Sequence, residues 1–226
     1  MSDVLVLKIG GSVLGDEAAA LDVVAALHDS GHSIVVVHGG GPLATEWSGR
    51  LGLETRFVRG LRVTDAATRD VALATLTGLT NTRLVAALIA RGVPAVGLSG
   101  VDGGMLRAER EEAELGLVGR VTLVDSALLE ELLEAGRVPV VAPAALDKKD
   151  GEILNVNGDG AAGALAASLG ARLLVFVTDV PGVRAKLEAS GGRRAGSGVS
   201  GPDAARCAGS EGDEQMTAAD GAARCS

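Results

Sequence analysis

Short runs of Val, Ile and Leu, each closed by glycine or serine, alternate with alanine- and leucine-rich stretches from residue 4 to residue 177. This alternation constrains the fold more than any other feature of the chain. VLVLKI (Val4 to Ile9) reads as a buried strand ending at Gly10 and Gly11, and Ala18 to Leu27 as a helix stopped by Gly31. SIVVVH (Ser33 to His38) is a second buried strand, followed by Gly39, Gly40 and Gly41, with Pro42 placed for the first turn of a helix running towards Leu51. Asp65 is the predicted N-cap of a long helical stretch to Ile89, in which Gly78 is a candidate kink. Further strands are predicted at Pro94 to Leu98, Val118 to Val124, Val138 to Ala142 and Leu173 to Val177, with helices over Asp125 to Ala135 and Asp159 to Leu169. Such an order implies an α/β fold, a largely parallel sheet with helices on both faces. Ligands in these sheets gather at the carboxyl ends of the strands, where the glycine clusters fall.

The 226 residues suffice for one sizeable core, which must be aliphatic because the chain has two Phe, one Trp and no Tyr. With so few aromatic rings and a formal charge of −8, a nucleic-acid or acidic-membrane partner is not expected. No apolar run is read as approaching the ~20 residues of a membrane span and no secretory signal is read at the start, so a cytoplasmic setting is expected. Cys207 and Cys225 have no Cys or His partner at metal-ligand spacing, and no metal site is expected. From Arg184 the pattern is lost. Residues 184–226 are rich in Gly, Ala, Ser and Arg, with Leu187, Val199 and Met216 as the only sizeable aliphatic side chains, and read as a disordered tail open to trypsin. The expected division is therefore a folded domain over 1–183 and a tail over 184–226.

Lys8 is an ammonium at the end of an apolar strand, beside the glycine amides of Gly10 and Gly11. It is either a phosphate-binding cation or a lysine that reaches solvent along the strand end. Gly39 to Gly41 before a helix start offer backbone donors to an anion, or simply form a tight turn. Arg62, in RGLRVTD, could hold a carboxylate with its planar fork or form a surface ion pair. Asn155, Asn157 and Asp159 in LNVNGDGAAG precede a helix of small residues that lets a ligand approach, with Asp159 as a plain N-cap the simpler reading. No Gly-Lys-Ser/Thr phosphate loop and no Gly-x-Ser-x-Gly elbow occurs, and His38 at a strand end reads as structural.

Taken in order, VLKIGGS, VVVHGGGP, GLRVTD, AVGLSGVDGG, LNVNGD and VTDVPGV resemble the acetylglutamate kinases over Val4 to Val183. The resemblance implies a three-layer α/β/α amino-acid-kinase fold, mainly parallel and incomplete at its C-terminus. It also implies a homo-oligomer that phosphorylates the γ-carboxylate of N-acetyl-L-glutamate with ATP and Mg2+ in arginine biosynthesis. Residue by residue, it makes Lys8 the catalytic cation and Asp159 its orienting partner. Gly10, Gly11, Gly39, Gly40 and Gly41 become donors to the phosphoryl group, and Arg62 and Asn155 the grip on the acyl amino acid. Thr178, Asp179, Gly182 and Val183 then border the nucleotide, with magnesium carried on the ATP phosphates. The family's later Gly-Gly-Met-x-x-Lys-like motif has no counterpart here, since Lys186 sits in the unrelated AKLEASGG, so impaired catalysis is expected. Two rivals follow: a kinase acting on carrier-linked aminoadipate or glutamate, towards which VDGG leans, and a noncatalytic acyl-amino-acid-binding remnant.

Overall fold

Val4 to Ile9 alternate their side chains between two apolar layers, and that alternation sets the architecture. The structure is a computed structural model and describes residues 3–10 and 18–177. By internal contacts the chain divides between Val183 and Arg184, and all that follows concerns the first unit. Its strands are β1 (Val4–Ile9), β2 (Ser33–His38), β3 (Phe57–Val58), β4 (Leu61–Arg62), β5 (Ala95–Ser99), β6 (Leu106–Arg110), β7 (Val118–Val124), β8 (Val138–Ala142), β9 (Ala144–Asp147), β10 (Ile153–Val156) and β11 (Leu173–Val177). Its α-helices are α1 (Ala18–Asp29), α2 (Gly41–Arg50), α3 (Ala66–Leu73), α4 (Asn81–Ile89), α5 (Ala127–Glu134) and α6 (Gly158–Ser168).

The main sheet runs β11-β1-β2-β8-β5, with every neighbouring pair parallel. On one face Leu5, Leu7, Ile34, Val36 and Val140 pack with Leu21 and Val24 of α1 and Leu84 and Leu88 of α4. On the other, Val4, Val6, Val35, Val37 and Val141 pack with Leu129 of α5 and Ala161, Ala162 and Leu165 of α6. The three-layer expectation is met. Because both faces of β2 and β8 are covered, they read as continuous hydrophobic runs and could be bounded to the residue from sequence; β11, the edge strand, is bounded by its apolar run although Leu173 and Phe176 are 51% and 48% exposed.

A second assembly was not foreseen. β10, β7, β6 and β9 close into a ring that mixes parallel and antiparallel pairs, and β3 and β4 form a two-residue hairpin. Val118–Val124 is the predicted strand, but it belongs to this ring and not to the main parallel sheet. Strands such as β6 (LRAER) and β9 (AALD) lack the apolar run that marks a central strand. The predicted helix from Asp65 to Ile89 also differs: Ala74–Thr80 between α3 and α4 is π-helical, and Gly78 lies within that widened turn.

Across those three segments, Ala66–Ile89 spans 24 residues at mean hydropathy 1.3, long and apolar enough to cross a membrane by those two measures. This departs from the sequence reading that no such stretch exists. Part of its apolar surface packs inward, Leu84 and Leu88 against the sheet and Leu76 beside Ala142, while Ile89 is 55% exposed. Asp65 caps the stretch as expected, accepting from the Thr68 amide at 2.8 Å.

Candidate functional site

The carboxyl ends of β2 and β10, the start of α2, the β3–β4 hairpin and the start of α6 meet around a cleft of about 150 Å³. Its walls include Gly39, Gly40, Gly41, Phe57, Arg62, Asn155 and Gly158. Lys8 shares the strand face of Val4 and Val6 and therefore points towards α6. There its Nζ meets Asp159 Oδ1 at 2.8 Å, with the lysine side chain 16% exposed and the aspartate 57%. Gly158 separates them from the cleft, since a Cβ at that position would sit 3.6 Å from Lys8 Cε. Lys8 does not itself line the cleft but lies behind Gly158, with its ammonium paired to Asp159.

Asp159 is not the N-cap of α6. Asn157 is, its Oδ1 accepting from the Asp159 amide at 2.8 Å and the Gly160 amide at 3.1 Å. The cap leaves the Asp159 carboxylate free to reach Lys8, and its place in the first turn of α6 is favourable for a negative charge.

In the glycine cluster the three amides differ. Gly39 N–H donates to Ile9 O at 2.9 Å and Gly10 N–H to Val177 O at 2.9 Å, both extending the sheet ladder. These two amides, expected as donors to a phosphoryl group, are engaged with backbone oxygens. Gly40 and Gly41 open α2, which has no side-chain cap, so the helix N-terminus faces the cleft with amides that need an acceptor. Gly40 packs closely against the π-helical segment, where a Cβ would come 2.5 Å from Leu76 Cδ2 and the leucine would have to shift.

Arg62 is 7% exposed, and among the described residues it has no carboxylate partner. Its Nη2 donates to Gly41 O at 2.9 Å and Thr45 Oγ1 at 2.7 Å, its Nη1 to Thr55 Oγ1 at 3.3 Å, and its guanidinium lies 4.9 Å from the centre of the Phe57 ring. Burial lowers its pKa, but a guanidinium remains charged. A surface ion pair, the simpler reading from sequence, is replaced by a buried cation oriented by Gly41, Thr45, Thr55 and Phe57. Asn155 stands on β10 and donates from Nδ2 to Thr64 Oγ1 at 3.3 Å, while Thr64 in turn donates to Arg62 O at 2.7 Å. Arg62 and Asn155 are therefore coupled through Thr64.

His38 is fully buried on the opposite strand face, donating from Nδ1 to Gly39 O at 2.8 Å and accepting at Nε2 from Asn81 Nδ2 at 3.1 Å. Burial pushes its pKa down to about 4, so it is a neutral structural residue, as its sequence position suggested. Of the other predicted residues, Gly11, Thr178, Asp179, Gly182 and Val183 lie outside the described residues. The pairing of Ile9 with Val177 sets the strand leading to Thr178 beside that of Lys8. Thr45, Thr55 and Phe57 carried no sequence signal, because their function is to hold Arg62 and only the fold brings them to it. Among the described residues no cluster of three or more His, Cys, Asp or Glu is placed to hold a metal ion.

A model described as the amino acid kinase family matches residues 3–188. An acetylglutamate kinase of Methanopyrus kandleri is 50% identical over 190 residues, covering 81% of this chain and 74% of the relative. One from Dehalococcoides mccartyi is 45% identical over 188 residues, covering 81% of this chain and 69% of the relative. Among solved structures, a Streptococcus mutans protein superimposes with a TM-score of 0.74 at 29% identity, covering 80% of this chain and 74% of that one.

Proposed function

The chain belongs to the amino acid kinase family, and on that premise we propose that its residues 1–183 form a cytoplasmic, homo-oligomeric kinase domain that phosphorylates the γ-carboxylate of N-acetyl-L-glutamate. The observation that carries this reading is the buried guanidinium of Arg62, without a carboxylate partner among the described residues, in a cleft whose wall residue Gly158 lies against Lys8. An acyl amino acid with two carboxylates suits that arrangement. One carboxylate completes the hydrogen bonding of Arg62, and the amide of Asn155 meets the acetamido group. The second carboxylate then extends towards Lys8 and the uncapped start of α2.

ATP supplies the phosphoryl group, with Mg2+ carried on its phosphates and not in a protein cage. The work left to the chain is positioning and charge stabilisation. Lys8, held by Asp159, presents an ammonium to the charge that develops on the transferring oxygens, and the amides of Gly40 and Gly41 add donors without moving. Arg62 acts on binding and Lys8 on the transition state.

Two measurements separate these roles. Calorimetry is expected to show N-acetyl-L-glutamate binding more tightly than free glutamate, with Arg62→Ala weakening it by about 1.5–3 kcal/mol. Equal affinity for the two ligands, or no effect of Arg62→Ala, would remove the case for this pocket. Hydroxylamine trapping of the acyl phosphate gives turnover, which in a repaired, full-length version Lys8→Ala is expected to lower by about 10²-fold or more with little change in binding. Turnover of the unmodified chain in the same assay tests the expectation that its catalysis is impaired.

A further inference from the structure

The β3–β4 hairpin supplies the Phe57, Gly60, Leu61 and Arg62 walls of the cleft, so its placement decides where the Arg62 guanidinium stands. Its base is fixed. Thr64 N–H donates to Leu115 O at 2.9 Å and Thr64 O accepts from Leu117 N–H at 2.7 Å, joining the hairpin to the segment that runs through Glu112 and Glu114. Its tip is Arg59-Gly60, a two-residue turn with φ of 50° and 80°, both left-handed. Arg59 is the one non-glycine residue at positive φ among those described, where asparagine would be the unstrained choice.

The side chain of Arg59 explains why a strained residue stands there. Its Nη2 donates to Glu112 Oε2 and, at 2.8 Å, to Glu114 Oε1. The tip is thereby tied to the same segment that holds the base. We infer that Arg59 is a positioning residue: its ion pairs with Glu112 and Glu114 hold the hairpin down, so that Phe57 and Arg62 are already placed when the substrate arrives. The inference rests on the proposed reading of the cleft as an acyl-amino-acid site. Arg59 touches no substrate; it sets the fraction of molecules whose cleft is ready, and the apparent affinity scales with that fraction.

The test uses the full chain, with calorimetric titration of N-acetyl-L-glutamate at low salt and hydrogen exchange of the amides of residues 57–62 without ligand. Arg59→Asn keeps the turn, since Asn-Gly suits it, and removes the cation. Glu112→Gln with Glu114→Gln removes the partners. Each variant is expected to raise Kd by about 2- to 5-fold, an exposed ion pair being a modest tether. Each should also speed exchange in the hairpin, and the triple variant should do no more than either. A long-range field on the dianionic ligand predicts the opposite pattern, because losing Arg59 would weaken binding and losing two glutamates would strengthen it. Effects of opposite sign, or unchanged exchange in the hairpin, would overturn the inference. If the wild-type chain does not bind N-acetyl-L-glutamate, the proposed function fails, while the exchange rates still decide the role of Arg59.

Discussion

His38 shows how one residue ties the sheet to the site without taking part in chemistry. Its imidazole bridges Gly39, at the head of the glycine cluster, to Asn81, whose Nδ2 also donates to Val140 O at 2.8 Å. Asn81 in turn requires Gly97 in β5, where a Cβ would lie 2.1 Å from its Oδ1. With the pKa of His38 lowered in the fold from 6.5 to about 4, the unfolded chain takes up a proton before the native one does. The stabilising effect of neutral His38 is present above pH 6.5 and is lost as pH falls from there towards 4. Urea unfolding is expected to show a loss of about 2 kcal/mol between pH 7 and pH 5, on the order of 3 kcal/mol if continued below pH 4. Asp65 and Asp147, held below the usual carboxylate range by hydrogen bonds, add their losses only at the acid end. His38→Gln should flatten the upper part of the profile, and an unchanged slope between pH 7 and pH 5 in that variant would assign it to another group.

At the scale of elements, the segment between β6 and β7 does more than connect them. Gly116, at φ 71°, passes so close to the hairpin base that a Cβ would lie 2.4 Å from Thr64 O, a backbone atom that cannot swing aside. Gly116→Ala is expected to cost about 2–4 kcal/mol, the left-handed backbone and the steric clash acting together. It should also weaken N-acetyl-L-glutamate binding, because Thr64 lies between Arg62 and Asn155. Thermal unfolding with calorimetry checks both, and a variant of normal stability with normal binding would show that the segment adjusts freely. A glycine in a loop carries no such message in sequence. The strain arises only when β4 and this segment lie side by side.

For the whole molecule, the sheet separates two apolar layers that share strands but not helices. Leu84 packs on one face and Leu165 on the other, each at most 1% exposed. Leu84→Ala and Leu165→Ala are each expected to cost about 2–5 kcal/mol in urea unfolding. Since the two sites share no contacts, the double variant should lose the sum to within about 0.5 kcal/mol in one cooperative transition. Separate transitions would mean that the layers fold as independent units.

Local sequence was sufficient for whatever depends on neighbours along the chain. Apolar runs marked β2, β8 and β11, Asp65 announced a cap by its own chemistry, and the order of glycine-closed strands located Lys8 and the triple glycine at the carboxyl ends of parallel strands. The motif strings pointed to Arg62, Asn155 and Asp159 as well, but not to the state of each. Whether Arg62 was a surface ion pair or a buried cation, and whether Asp159 was a cap or the partner of Lys8, depended on groups far away in sequence. The ring of β6, β7, β9 and β10 escaped for the same reason: short, partly charged strands gain their stability from pairing, and pairing is a property of the folded chain. Sequence determined which chemical groups this protein has and roughly where they lie along the sheet. Tertiary structure decided which were desolvated, which were already satisfied and which line the cleft, because burial and hydrogen bonding are settled only when distant segments meet.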